Sequence, residues 1–149
     1  MVRNRTDDGR LASDEETLPE RELKVLVVDD EPLVRFMTAD VLKAAGFSVT
    51  EAGNSEEALQ QLNGGNGLAA LVTDINMPGK INGCGLARHV RARYPSAAIV
   101  IISGVEEPDP EALPERAVFL AKPLAPDRLI RRLEEIIEAP EEEPRRSKG

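Results

Sequence analysis

Leu23-Lys24-Val25-Leu26-Val27-Val28-Asp29-Asp30-Glu31-Pro32 decides the fold. Apolar, mostly β-branched residues run unbroken from Val25 to Val28, the pattern of a strand buried on both faces. The run stops on two carboxylates, and Pro32 then suits the first turn of a helix. A buried strand, an acidic loop and a helix start in so short a span open a βα unit.

Working outward, the same grammar recurs. Pro32 to Ala45 reads as a helix stopped by Gly46, with Leu33, Met37, Val41 and Leu42 as its apolar face. Phe47 to Glu51 alternates like an edge strand. Asn54 then caps a second helix, with Glu57 completing a capping box, and Asn63-Gly64-Gly65-Asn66-Gly67 ends it. Leu68 to Thr73 is a third strand, Leu86 to Tyr94 lies in a third helix, and Ala97 to Ile102 is a fourth strand. Val105 to Arg116 carries Pro108, Pro110 and Pro114, which rules out a long regular helix there. Ala117 to Ala121 is the fifth strand. Pro126 to Glu138 is a helix with Leu129, Ile130, Leu133, Ile136 and Ile137 on one face. Strands alternating with helices imply a parallel sheet wound on both faces by right-handed crossovers.

Composition sets the outer limits. The 149 residues fit one domain with tails, and 41% apolar content is ordinary for a folded protein. Residues 1–22 and 139–149 are charged and lack an apolar face, so both read as tails around a domain at 23–138. A net charge of −8 disfavours nonspecific nucleic-acid binding. No apolar run is long enough to span a membrane, and no signal-peptide core follows Met1, so a cytoplasmic protein is expected. Cys84 and His89 are the single members of their kinds, which excludes an internal disulfide and a structural zinc cluster. Cys84 reads as a small helix-start residue and His89 as a solvated one. Arg128, Arg131 and Arg132 among Glu134 and Glu135 read as a mixed-charge face.

Polar residues stand at four strand ends: Asp29 and Asp30 after the first, Asp74 in Thr73-Asp74-Ile75-Asn76-Met77-Pro78, Ser103 in Ile101-Ile102-Ser103-Gly104, and Lys122 in Phe119-Leu120-Ala121-Lys122-Pro123. Open α/β sheets bind ligands beyond the carboxyl ends of their strands. With strand order 2-1-3-4-5 the first and third strands are neighbours, so Asp29 and Asp30 face Asp74. Carboxylates about 4 Å apart repel by roughly 4 kcal/mol per pair at an effective dielectric of about 20, so the cluster needs a cation. Mg2+, a hard ion that bridges carboxylates to phosphate oxygens, suits it. Asp74 is then the candidate nucleophile for phosphoryl transfer, Lys122 a fixed positive charge and Ser103 a hydroxyl donor.

The set resembles the receiver domain of bacterial two-component response regulators. The resemblance implies a flavodoxin-like (βα)5 fold with a five-stranded, doubly wound parallel sheet of order 2-1-3-4-5. It also implies that Asp74 is the phosphorylated aspartate and that Asp29 and Asp30 serve Mg2+ with Asp74. The backbone carbonyl of Asn76 becomes a further metal ligand, Ser103 the switch hydroxyl, Lys122 the partner lysine and Phe119 the switch aromatic. Three departures stand out. The loop Pro78 to Gly83 is a residue longer than usual and has Asn82 where Asp is common. Phe119 lacks the hydroxyl of the commoner tyrosine. Ser103 and Lys122 are closer than usual, so the fourth helix, with the family's usual dimer surface, is short or missing.

The expected function is that of a stand-alone phosphoacceptor signalling domain, not a metabolic enzyme. It would take phosphate from a histidine kinase or phosphotransfer protein and act on an unidentified output protein, or serve as relay or sink. Neither nucleic acid nor membrane is an expected partner, and the state is a monomer or weak dimer. A magnesium-dependent phosphatase or phosphotransferase with an aspartyl nucleophile fits less well, because those acting on metabolites usually show an Asp-x-Asp pair and a cap domain. A pure interaction module leaves the complete acidic set without a use.

Overall fold

The structure, a computed structural model, describes residues 23–63, 67–104, 108 and 110–138. The two expected tails, the glycines at 64–65 and most of 105–109 lie outside the described residues. Five parallel strands, β1 Lys24–Val28, β2 Ser48–Ala52, β3 Ala70–Asp74, β4 Ala98–Ser103 and β5 Ala117–Ala121, form one sheet of order β2-β1-β3-β4-β5. Helices α1 Pro32–Ala44, α2 Ser55–Asn63 and α3 Gly83–Arg93 link successive strands, and α4 Pro126–Glu138 follows β5.

Alternate residues of each central strand serve opposite layers. Val25, Val27, Val72 and Val100 pack with Leu42 of α1 and with Leu129 and Leu133 of α4. Leu26, Leu71, Ile99 and Ile101 pack with Ala58 and Leu62 of α2 and with Leu86 and Val90 of α3. This two-sided burial is why the strands are continuous apolar runs. Each buried side chain of this size contributes about 2 kcal/mol of transfer free energy, enough to make a register slip costly.

Helix ends follow the expected chemistry. Asn54 Oδ1 accepts from the Glu57 N–H (2.8 Å) as the cap of α2, while Glu57 Oε1 accepts from the Gly53 N–H (2.6 Å), one residue before the position a capping box uses. Past α1 the chain turns through Gly46, whose φ of 102° a side chain rarely adopts.

One expectation about α1 is corrected. Leu33 and Met37 do not face the core: with Phe36 they stand outside, at 69%, 56% and 58% exposure. Ala39 and Leu42 are the buried residues, flanked by half-buried Val34 and Val41. The first two turns are apolar almost all round, so periodicity cannot choose a face. The choice is made by Arg35, which donates to the Asp29 carbonyl (3.0 Å) and to Glu51 (3.1 Å) and thereby fixes the helix's rotation.

The fourth helix is reduced, as the prolines imply, to one 3-10 turn at Pro110–Ala112 among the described residues. Irregular backbone leaves carbonyls without a ladder, and arginines of α3 meet that need. Arg88 Nη1 donates to the Ala112 carbonyl (2.6 Å). Arg91, only 8% exposed, donates from Nε to Glu115 O (3.1 Å) and from Nη1 to Pro95 O (2.9 Å) and Ala97 O (2.6 Å). Replacing Arg91 by methionine should therefore cost about 3 kcal/mol, against under about 1 kcal/mol for Arg88→Met at the exposed bond. Urea unfolding of both variants checks this, and equal small losses would show that the buried clamp contributes nothing.

Candidate functional site

Register brings the strand ends together as a staircase. Val28 pairs with Thr73, so Asp29 lies beside Asp74. Asp74 pairs with Ile102, which sets Ser103 one step beyond, and Ser103 pairs with Ala121, which sets Lys122 beyond that. The ladder extends past the strands, since Asp29 N–H donates to Ala52 O (3.2 Å) and Lys122 N–H to Ser103 O (3.0 Å).

Local contacts then aim the side chains. Asp29 Oδ1 accepts from the Glu31 N–H (3.0 Å), and Asp74 Oδ1 from the Ile75 N–H (2.7 Å). Asp74 Oδ2 is left turned towards Lys122 Nζ at 3.4 Å, which also stands 3.8 Å from Asp29 Oδ2. One carboxylate oxygen from each of Asp29, Asp30 and Asp74 lies within 4.8 Å of the other two. Asp29 is buried, Asp74 half-buried and Asp30 exposed. The donors are hard oxygens only, crowded against one ammonium, and such a set fits a divalent cation.

The remaining expected residues are placed differently. Ser103 is buried at the end of β4. Phe119 is half-buried and packs into the α2–α3 side of the core, as do Ala112 and Leu113. Asn76 is exposed in the loop after β3. Further along that loop Asn82 does what an aspartate would, its Oδ1 accepting from the Gly85 N–H (3.0 Å) as the cap of α3. Ser55 Oγ ties the loop to α2 through the Ile81 carbonyl (2.9 Å). His89 is exposed. Cys84 is buried, which pushes its thiol pKa up and leaves it inert.

Two contributors carry no sequence signal of their own. Gly83 N–H donates to Ile75 O (2.9 Å), and a Cβ on Gly83 would run into the carbonyl of Asp74. Arg35 holds the main chain of Asp29 from α1. Only the fold reveals either contact.

Comparison with known proteins gives the same answer as this geometry. A family model described as the response regulator receiver domain matches residues 25–134. The chain belongs to that family. The receiver domain superposes on a response regulator receiver protein from Sinorhizobium medicae WSM419 with a TM-score of 0.76, at 27% identity, over 80% of this chain and 98% of that one. The response regulator TrrA of Thermotoga maritima, solved in complex with Mg2+–BeF, is 28% identical with a TM-score of 0.66, over 76% of this chain and 98% of that one. The transcriptional regulatory protein AruR of Pseudomonas aeruginosa is 33% identical over 120 residues, 76% of this chain and 49% of that protein. The chain thus spans half or less of the curated relatives it matches. No helix among the described residues is long and apolar enough to cross a membrane.

The crowding has a consequence for pH. Burial raises the Asp29 pKa above its ordinary value, and the carboxylates of Asp74 and Asp30 raise it further against the opposing pull of the Glu31 N–H and Lys122. In the window between the ordinary and the raised value the folded protein holds more protons than the unfolded chain, so stability falls as pH rises through it. In chelator, the melting temperature should drop across that window in wild type and stay flatter in Asp29→Asn. Parallel curves would show that Asp29 is under no such pressure.

Proposed function

We propose that this chain contains a receiver, folded over residues 23–138, that accepts a phosphoryl group on Asp74. The observation that carries the reading is the Lys122 ammonium set against Asp74 and Asp29 inside a cluster of acids. Asp74 Oδ2 attacks the phosphorus of a phosphohistidine on a histidine kinase or phosphotransfer protein. The P–N bond breaks and its electron pair returns to the imidazole. Lys122 is positioned to neutralise the incoming equatorial oxygens, and the Ile75 N–H holds the other carboxylate oxygen in place.

Mg2+, held by Asp29, Asp30, Asp74 and the Asn76 backbone carbonyl, would supply further neutralisation of phosphoryl oxygens. The added charge then recruits Ser103 and Lys122, and Phe119 repacks sterically, which biases the surface presented to an output protein. The modified protein signals by protein contact in the cytoplasm or passes the phosphate on as relay or sink. It acts as a monomer or weak dimer, with neither nucleic acid nor membrane as partner. Incubation with a small phosphodonor and Mg2+, followed by intact-mass and peptide mapping, tests the reading. A single phosphoryl group on the Asp74 peptide is the expected result, and label elsewhere or none at all refutes it.

A further inference from the structure

Behind the acidic cluster lies a feature that phosphoryl transfer does not use. A cleft of about 480 Å3 runs from Asp29 and Asp74 down between α1 and α4 to the sheet. Its volume falls within the range of about 300–1,000 Å3 common for small-ligand sites. Val34, Met37 and Val41 of α1 form one wall, Val72 the floor and Leu129 the opposite wall. Thr38 also lines it, but its hydroxyl is spent on the Val34 carbonyl (2.9 Å), so that wall presents no free donor. Leu33 and Phe36 of α1 stand exposed and do not line the cleft, while the half-exposed Met37 borders it.

The two ends of the cleft differ in kind. Its body is mostly hydrocarbon, whereas at one end the carboxylates of Asp29 and Asp74, with Asp30 beside them, face one ammonium, that of Lys122. An anionic ligand end would be repelled there, and a neutral end would leave the acids crowded. A cationic end relieves the crowding.

We propose that this cleft binds a small organic cation with an apolar body, its ammonium against Asp29 and Asp74 and its hydrocarbon between α1 and α4. Such a ligand and a divalent cation would use the same carboxylates, so each weakens the other, and the ligand acts as a brake on the site. The inference rests on the cleft and its carboxylates, not on phosphorylation, so a protein that takes no label still tests it.

The probe is hexylammonium, titrated into the full 149-residue chain in chelator by NMR shift perturbation, with 1-hexanol and hexanoate as matched controls. Saturable binding is expected, about tenfold tighter than hexanol and tighter still than hexanoate, and weakened about tenfold by Asp74→Asn or by saturating Mg2+. Val41→Phe, which fills the cleft away from the acids, should abolish hexylammonium binding while Mg2+ affinity, read by the same shifts, stays as in wild type. Thr38→Leu is a milder second filling and should weaken the amine without moving Mg2+. No saturation, equal affinity for amine and alcohol, hexanoate binding as tightly as the amine, or indifference to both filling variants overturns the proposal.

Discussion

Asp74→Asn is expected to take up no phosphoryl label while keeping its fold. Asparagine is close in shape, and its side-chain carbonyl can still accept from the Ile75 N–H as Oδ1 does at 2.7 Å. What is lost is the anionic oxygen facing Lys122, and an amide is not a nucleophile towards phosphorus. Loss of one like charge from a trio held within 4.8 Å should also raise the melting temperature in chelator. Added Mg2+ should in turn stabilise wild type more than the variant. The two readouts separate the explanations. A variant that no longer melts cooperatively would reflect misfolding, whereas a stable variant without label isolates the chemistry. Undiminished label would remove Asp74 from its assigned role. Lys122→Ala should be less severe, slowing uptake by about a hundredfold, because it removes charge stabilisation and leaves the nucleophile in place.

The second large effect concerns a residue with no chemistry at all. Gly83→Ala should destabilise the protein by about 4 kcal/mol and weaken Mg2+ binding with it. A Cβ there would stand 2.8 Å from both the Asp74 carbonyl carbon and the Ile75 Cα, besides meeting the carbonyl oxygen itself. All are backbone atoms, so no rotamer change relieves the contact. Either α3 lifts from β3 or the Asp74 main chain moves, and in the second case the Ile75 N–H no longer steadies the carboxylate. Denaturant unfolding paired with Mg2+ titration reads both consequences. Gly85→Ala provides the contrast, since its added Cβ would meet chiefly a side-chain methyl, Ile81 Cγ2 at 2.7 Å, rather than the main chain behind Asp74. Equal and small losses for the two variants would show that the close approach at Gly83 is not needed.

Much of the site was legible in the chain because strand ends are written locally. An apolar run that stops on a carboxylate, hydroxyl or ammonium marks both the end of the strand and the side of the sheet where that group emerges. Asp29, Asp74, Ser103 and Lys122 each carry that mark, and pairing then sets them on successive steps of one rim. The reduction of the fourth helix to a 3-10 turn among the described residues was equally legible, because Pro108, Pro110 and Pro114 remove donors that a long helix needs. Phe119 was less legible. An aromatic in a strand reads the same as core or as switch, and the structure finds it half-buried in the core.

What the sequence determined by itself was the order of elements, the two-faced burial of the central strands and the identity of the acids at their ends. These follow from periodicity and from residue type over a few neighbours. Only the tertiary structure decided which side of α1 faces the sheet, since Leu33, Val34, Phe36 and Met37 clothe its start nearly all round and the tie from Arg35 to Asp29 and Glu51 selects among them. The carbonyls that Arg88 and Arg91 satisfy, the glycine that α3 requires against Asp74 and the cleft behind the acids were decided there as well. Each depends on distances between segments far apart in the chain, and such distances have no periodic signature.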